Sequence, residues 1–192
     1  MPTLRNRIAA LVVSAVGLTT LGLYEGLKDK AYIPVPGDRP TIGLGSTLYE
    51  DGSPVKMGDK ITKERAYILF KNTLGVYELA VKKCVNVPLH QYEFDAYVSL
   101  TYNIGGYRFC QSSIPVKLTA YDYAGACKEI LRYDKVKNKV LRGLTIRRQD
   151  EYKTCLGQKE KDYVQNLVDV NTLPKLEVLD STITDLPYKV GK

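Results

Sequence analysis

The spacing of hydrophobic and polar positions divides the chain into three parts. Residues 8–24 carry no charge, residues 31–47 mix short apolar runs with Pro and Gly, and from Thr62 onward apolar residues recur every three or four positions. The first pattern is typical of an export signal or a membrane segment, the second of a β-hairpin or small sheet, and the third of helices. We therefore predict an α+β fold, with a small β lobe near the front and a mainly helical body behind it.

Start and stop signals divide the helical body into five predicted helices. N-capping residues mark three of the starts, and Val-Pro or a Gly pair marks two of the ends. The predicted caps are Thr62, Ser112 or Ser113, and Asp122; the stops are Val87-Pro88 and Gly105-Gly106; the second helix runs from about His90 to Asn103, and the last covers residues 144–156.

Residues 8–24 follow a start that holds Arg5 and Arg7 and no acid. Four interpretations fit: a cleaved signal peptide, a permanent membrane anchor, a weak anchor that can leave the membrane, and a buried core helix. Seventeen uncharged residues are close to the lower limit for a membrane span, and the Ser, Thr and Gly among them weaken insertion. In the anchor interpretations the basic start keeps the N-terminus in the cytoplasm. Residues 25–30 are predicted to end this helix, with Lys28 and Lys30 near its C-terminal end.

Composition narrows the choice of partners. The formal net charge of +7 suits an anionic cell wall, anionic lipid or nucleic acid. The chain has no continuous Lys/Arg run and no nucleic-acid-binding motif, so we expect no nucleic-acid partner. One His and no acidic cluster predict no metal, and no cofactor is expected. Four Cys predict two disulfides in an exported chain, with three pairings open; they are Cys84, Cys110, Cys127 and Cys155.

Two carboxylates flank the Pro/Gly turn at the front of the chain. Glu25 stands where the apolar segment ends, and Asp38 lies within the turn. Glycosidic cleavage uses one acid that protonates the leaving oxygen and one carboxylate that supports the water or the oxocarbenium-like centre. Burial against the apolar segment would raise the pKa of Glu25, as a general acid requires. The structural alternatives are a solvated helix end for Glu25, turn chemistry for Asp38 and β propensity for Thr41.

Several segments of the chain resemble one enzyme family. E-G-L-K-D-K-A-Y (25–32) and T-I-G-L-G-S-T (41–47) resemble the active-site segment of phage lysozymes, the endolysins of glycoside hydrolase family 24. Further segments resemble the family in the same order, at 88–105, 109–114, 120–127 and 143–156, so the resemblance covers roughly residues 25–157. The basic, weakly apolar segment before Glu25 is similar to that of signal-arrest-release endolysins. Those are exported by the host Sec machinery, held inactive in the inner membrane and later released into the periplasm.

The resemblance implies a lysozyme-like fold and hydrolysis of the β-1,4 bond between N-acetylmuramic acid and N-acetylglucosamine in peptidoglycan, for host cell lysis and phage release. It divides the chain into a signal-arrest-release or transmembrane segment (1–24), a catalytic domain (25–157) and a C-terminal extension without assigned chemistry (158–192). We expect a monomer whose partners are peptidoglycan, the Sec machinery and, through residues 8–24, the host inner membrane. The periplasm is the expected location of the active form.

The same resemblance assigns roles to residues at the front of the chain. Glu25 is the general acid, and Thr41 positions water or substrate. The family carries its second carboxylate two residues after the Tyr that matches Tyr32, where this chain has Pro34. Asp38 is the only carboxylate left in the turn, and we assign the second role to it.

Three residues are expected to bind substrate: Tyr32, Asn103 and Arg147. Arg147 matches a family arginine near the catalytic glutamate, where a cation would hold the acid in place. Alternatively, it pairs with Glu151 one helical turn further on.

The displaced Asp leaves two alternative functions open. One is a lytic transglycosylase, which needs a single Glu, and the other is a non-catalytic, membrane-anchored peptidoglycan-binding protein. In the tethered enzyme, Glu25 would sit at the lipid–water interface, apart from Asp38 and Thr41. On release, residues 8–24 would pack onto the body as a first helix and complete the cleft. The segment contains no Cys, which excludes thiol exchange from within it as the trigger, and the resemblance implies loss of the membrane potential instead.

Overall fold

The computed structural model describes residues 4–14, 16–18, 22, 26–34 and 37–158. Within these ranges the helices are α1 (Lys63–Cys84), α2 (Gln91–Ile104), α3 (Gly106–Cys110), α4 (Ser113–Thr119), α5 (Tyr123–Glu129) and α6 (Arg142–Cys155). The strands are β1 (Lys28–Tyr32), β2 (Thr41–Gly43), β3 (Lys135–Val136) and β4 (Lys139–Val140), and 3₁₀ turns cover Ile8–Ala10 and Ile130–Arg132. This architecture confirms the predicted α+β class.

Local capping chemistry sets three of the helix starts, as predicted. The side chains of Thr62, Ser112 and Asp122 accept hydrogen bonds from backbone N–H groups of the first turn, at 3.2, 3.2 and 2.9 Å. These bonds satisfy donors that a helix start leaves without an intrahelical partner. Gly105, at φ 88°, ends α2. Gly106 was predicted to share in that stop, but it begins α3.

Strand β1 corrects one prediction. Residues 28–30 were expected to close the N-terminal helix, yet Lys28 pairs with Gly43 and Tyr32 with Thr41 in an antiparallel hairpin. The reason lies at Gly26, whose N–H donates to Gly22 O (3.2 Å) and whose φ is +64°. A glycine in this left-handed conformation ends a helical turn, so the chain is already extended at Lys28.

The N-terminal segment departs from a single helix that begins at Ile8. It has a 3₁₀ turn at Ile8–Ala10, no regular structure over 11–14 and helical geometry over 16–18. Asn6 forms an antiparallel bridge with Leu89, through bonds of 2.8 and 3.0 Å, which holds the start of the chain extended. Ile8 and Leu11 are buried in the main core. Among the described residues, no helix has the length and apolar character needed to cross a membrane.

A second hairpin, β3–β4, was not predicted. Lys135 pairs with Val140 and Val136 with Lys139, which leaves Lys137 and Asn138 as a two-residue turn. Both turn residues have positive φ, 48° and 62°, as the tight hairpin turn of type I′ requires. A Lys-Asn pair lacks the glycine that usually signals this turn.

Helix α2 forms the centre of the body. Phe94, Tyr97 and Val98 are fully buried on one face, and Leu100 is buried as well, so the helix is covered on more than one side. Thr101 is buried and Tyr102 half-buried.

Two disulfides tie the helices around α2. Cys84–Cys110 links the end of α1 to α3, and Cys127–Cys155 links α5 to α6. Their Cα–Cα distances of 5.4 and 5.7 Å are ordinary for disulfides. The predicted count of two disulfides is confirmed, and the structure shows which of the three possible pairings is formed.

Candidate active site

The β1–β2 hairpin carries three of the predicted site residues. Tyr32, half-buried, ends β1 opposite Thr41, which begins β2. Asp38 lies in the connection between the two strands and is exposed. The hairpin therefore holds Tyr32 and Thr41 side by side and leaves the Asp38 carboxylate open to solvent.

Thr41 is buried, with 5% of its surface exposed. Its Oγ1 donates a hydrogen bond to Arg39 O (3.1 Å), so the hydroxyl is held within the turn that carries Asp38. A hydroxyl has lone pairs left to accept a second bond. This arrangement fixes the orientation of the side chain that was predicted to position water or substrate.

Leu44 joins the hairpin to the helical body. Its carbonyl accepts a bond from the Tyr102 hydroxyl (2.8 Å) in α2. Tyr102 in turn packs edge-on against Phe70 and Tyr77 of α1, with ring centroids 5.6 and 5.0 Å apart. Asn103, the next residue of α2, is exposed. The predicted substrate contact Asn103 thus lies directly after the residue that holds the two lobes together.

A buried charge cluster occupies α6 and the adjacent turn of α2. Glu151 Oε1 accepts from Ser99 Oγ (2.6 Å) and Arg147 Nε (3.1 Å), and Glu151 Oε2 lies 2.9 Å from Arg148 Nε. Arg147 also donates to Ser99 O (3.3 Å). Burial raises the pKa of Glu151, and the two guanidinium groups and the Ser99 hydroxyl act against that shift. The structure thus shows the pair of Arg147 with Glu151 that was the alternative interpretation of Arg147, and a role of Arg147 at the substrate stays a prediction.

Glu25 lies outside the described residues, and its assignment as general acid stays a prediction. The described positions on either side of it are Gly22 and Gly26. A Cβ on Gly22 would lie 3.8 Å from Leu44 Cδ1, so the backbone three residues before Glu25 lies against the residue that joins hairpin and body. The described residues contain no group of three or more His, Cys, Asp or Glu side chains that could hold a metal ion.

Sequence reasoning did not identify Ser99, Arg148 and Glu151 as parts of one buried cluster around Arg147. Glu151 follows Arg147 by four residues and Arg148 by three, so the three side chains lie on one helix face. Such a face is ordinarily solvated, however, and no local signal in α6 shows that α2 covers it. Ser99, which donates to Glu151, lies 52 positions earlier in the chain.

Comparisons with known proteins bear on the family and the fold of the chain. A family model described as phage lysozyme matches residues 22–151. An endolysin of Acyrthosiphon pisum secondary endosymbiont phage 1 is 36% identical over 143 residues, which cover 72% of this chain and 94% of that relative. A SAR-endolysin of Pseudomonas phage phiKMV is 34% identical over 155 residues, covering 78% and 90%. The solved endolysin from Escherichia coli O157:H7 phage FAHEc1 has a TM-score of 0.71 at 34% identity and covers 80% of this chain and 96% of that one.

Proposed function

Because this chain belongs to the phage lysozyme family, we propose that Glu25, Asp38 and Thr41 carry out its peptidoglycan hydrolysis. The chain is an endolysin-type glycosidase with a function in cell lysis. The finer assignment proposed is muramidase chemistry, in which the β-1,4 bond between N-acetylmuramic acid and N-acetylglucosamine is cleaved. Glu25 protonates the leaving oxygen, and Asp38 supports the attacking water or the developing positive charge.

The β1–β2 hairpin is the observation that carries this proposal. It presents the buried Thr41 hydroxyl and the exposed Asp38 on one turn, and it is bonded to the helical body through Leu44 and Tyr102. Holding reacting groups in a fixed geometry lowers the barrier of the reaction between them. Tyr32 and Asn103, both accessible, are proposed to contact the glycan.

Arg147 is proposed to act on Glu25 and not directly on substrate. It is 7% exposed and already bound to Glu151 and Ser99. A guanidinium fixed in this way can hold a carboxyl in place through charge-assisted hydrogen bonds. Its positive charge would also tend to lower the pKa of that carboxyl.

Turbidity and product analysis on Gram-negative peptidoglycan test the catalytic assignment. We expect Glu25→Gln to abolish clearing and Asp38→Asn to reduce it by at least tenfold. Asp51→Asn is the matched control, because Asp51 is an exposed turn residue of the same lobe, bonded to Ser53. Full activity in Asp38→Asn would remove Asp38 from the mechanism.

The products distinguish the function from its alternatives. New reducing ends that incorporate oxygen from water identify a hydrolase. Anhydro-muramic ends would instead identify a lytic transglycosylase, and sacculus binding without clearing would identify a non-catalytic binder.

We also propose that residues 8–24 hold the exported chain in the host inner membrane, with its N-terminus cytoplasmic, until release into the periplasm. The uncharged segment and the relative described as a SAR-endolysin support this location. The division into segment 1–24, domain 25–157 and extension 158–192, and a monomeric state, belong to the same proposal. Fractionation of expressing cells before and after collapse of the membrane potential tests it, and a chain that is periplasmic from the start would overturn it.

A further inference from the structure

The N-terminal segment is attached to the body through its backbone at residues 12–14. Gln91 Nε2 donates to Val12 O (2.7 Å), Val13 N–H donates to Glu78 Oε1 (2.8 Å), and Ser14 N–H donates to Asp95 Oδ1 (3.0 Å). The Ser14 hydroxyl also donates to Asp95 Oδ2. Side chains of α1 and α2 therefore bind three consecutive residues of a segment that has no charge of its own.

Asp95 is the most deeply placed of these acceptors, with 7% of its surface exposed. The groups that interact with it are Ser14, Gln91 Nε2 (2.9 Å) and, through its charge, Glu78. Burial raises the pKa of Asp95, and the Glu78 charge acts in the same direction, while the Ser14 and Gln91 bonds oppose it. A buried carboxylate is tolerated when hydrogen-bond donors satisfy it, and two of its three donors come from the N-terminal segment.

Gly17 lies directly against the Asp95 carboxylate. Its N–H donates to Ser14 Oγ (3.0 Å), and Leu18 N–H donates to Ser14 O (2.8 Å), so Ser14 starts a helical turn. A Cβ on Gly17 would lie 2.8 Å from Asp95 Cγ and 2.9 Å from Asp95 Oδ2. Only glycine lets the helical turn approach the carboxylate this closely.

We propose that Asp95 is a positioning residue that docks the N-terminal segment through Ser14 and Gly17 and thereby places Glu25, eight residues after Gly17, at the cleft. This docking rests on the proposed function in so far as Glu25 is the general acid. It also identifies the contact on the body that replaces the membrane environment when the segment is released. Ser14 and Gly17 both weaken membrane insertion, and both are used in the docked state.

A double-mutant cycle between Gly17→Ala and Asp95→Ala tests the contact in the full chain. Alanine favours helix more than glycine, so an undocked helix would gain from Gly17→Ala. We expect the opposite: at least tenfold lower hydrogen-exchange protection of the Val13, Ser14 and Leu18 amides, and at least tenfold lower kcat with KM unchanged. In the Asp95→Ala background, where Cγ and Oδ2 are absent, the same substitution is expected to change either quantity by less than twofold.

Two further variants separate docking from general damage. Asp95→Asn keeps an oxygen that can accept from Ser14 N–H, so it should retain most of the protection that Asp95→Ala loses. Gly75→Ala is the matched control, because Gly75 lies within α1 and nothing lies within 4 Å of the Cβ it would gain; its activity and protection should equal those of the parent. Exchange of amides in α2, measured in the same samples, reports whether the body is folded.

Two results would overturn the docking role. One is parental protection and kcat in Gly17→Ala, and the other is an equal effect of Gly17→Ala with and without Asp95. The exchange measurement does not require catalysis. If Glu25→Gln proved fully active while the exchange cycle still showed coupling, the catalytic assignment would fail and the docking contact would stand.

Discussion

Glu151 holds two arginines of α6 inside the helical body. Arg147 and Arg148 both contact it, and the Ser99 hydroxyl donates to it. We predict that Glu151→Ala lowers the free energy of unfolding by about 3–5 kcal/mol, because the substitution leaves two buried guanidinium groups without that carboxylate. Urea denaturation followed by circular dichroism measures the loss.

Glu50→Ala is the matched control for this prediction. Glu50 pairs with Arg65 at 2.9 Å, and the two side chains are 30% and 56% exposed; exposed pairs contribute less than about 1 kcal/mol. Equal losses for the two variants would show that the cluster in α6 adds nothing beyond an ordinary surface ion pair.

Asp59 is expected to make the β lobe sensitive to acid. Its Oδ2 accepts from Lys56 N–H (2.9 Å) and from the Tyr49 hydroxyl (2.9 Å). Both bonds lower the pKa of Asp59 below its ordinary 3.8, and the bond from Lys56 has the larger effect. A lowered folded pKa stabilises the protein above the unfolded value, and the contribution is lost as pH falls through the folded value. We therefore predict that Asp59→Asn lowers Tm at pH 7 but not in strong acid.

Thermal melts of the parent and Asp59→Asn across pH check this sign. Asp51→Asn gives a comparison in which Ser53 supplies the bonds that lower the pKa. A Tm difference for Asp59→Asn that stays constant from pH 7 to strong acid would contradict the assignment.

The residues that could be predicted from sequence are those whose partners are local. Thr62, Ser112 and Asp122 cap the helices that follow them within three residues. Asp95 could not be recognised as a docking residue, because Ser14 lies 81 positions away, and in sequence Asp95 is simply one polar residue of a helix.

At the scale of elements, the two disulfides differ in exposure. Cys127 and Cys155 are buried, at 1% each, whereas Cys84 and Cys110 are half-buried. Their sequence separations of 28 and 26 residues are nearly equal, so each should constrain the unfolded chain by about 3–4 kcal/mol. We predict similar losses of stability when either pair is replaced by Ser, but faster reduction of Cys84–Cys110 by a small thiol.

Alkylation and mass spectrometry over time measure the order of reduction, and denaturation of the two double-Ser variants measures the stability. Reduction of both bonds at one rate would indicate that global unfolding, and not local access, limits the reaction. Faster reduction of Cys127–Cys155 would contradict the prediction.

Helices and strands could be predicted where the hydrophobic pattern was long. The predictions failed where the backbone conformation of one or two residues set the structure. The periodicity of α1 and α2 was sufficient for both helices. Residues 28–30 were misplaced because Gly26 ends the preceding turn at φ +64°, which composition alone does not reveal. The β3–β4 hairpin was missed because Lys137 and Asn138 adopt positive φ without a glycine to signal it.

For the whole molecule, the N-terminal segment is proposed to occupy two environments in turn. Residues 8–24 would lie in the membrane before release, whereas Ile8, Leu11 and Ser14 contact the body in the structure. The sequence predicted both environments from the weak apolar character of the segment. It could not show which residues serve the second environment, since that depends on the packing of α1 and α2.

The balance between these environments leads to the last prediction. Replacing Gly17, Thr19 and Thr20 with Leu adds about −0.3 to −0.6 kcal/mol per Leu to insertion and removes polar or flexible residues. The Leu at 17 also places side-chain atoms where Asp95 lies. Both effects act in the same direction, so the triple variant should remain in the membrane fraction, and lysis should be delayed or absent. Lysis timing and fractionation measure the outcome.

Two single variants then assign the cause. Val12→Leu is the control, because Val12 is 61% exposed on the docked body and gains only one methylene. Gly17→Ala changes insertion little but disturbs the approach to Asp95. If the triple variant alone delays lysis, membrane affinity sets the timing; if Gly17→Ala delays it as well, the chain must also dock to become active. Unchanged timing in the triple variant would contradict control by membrane release altogether.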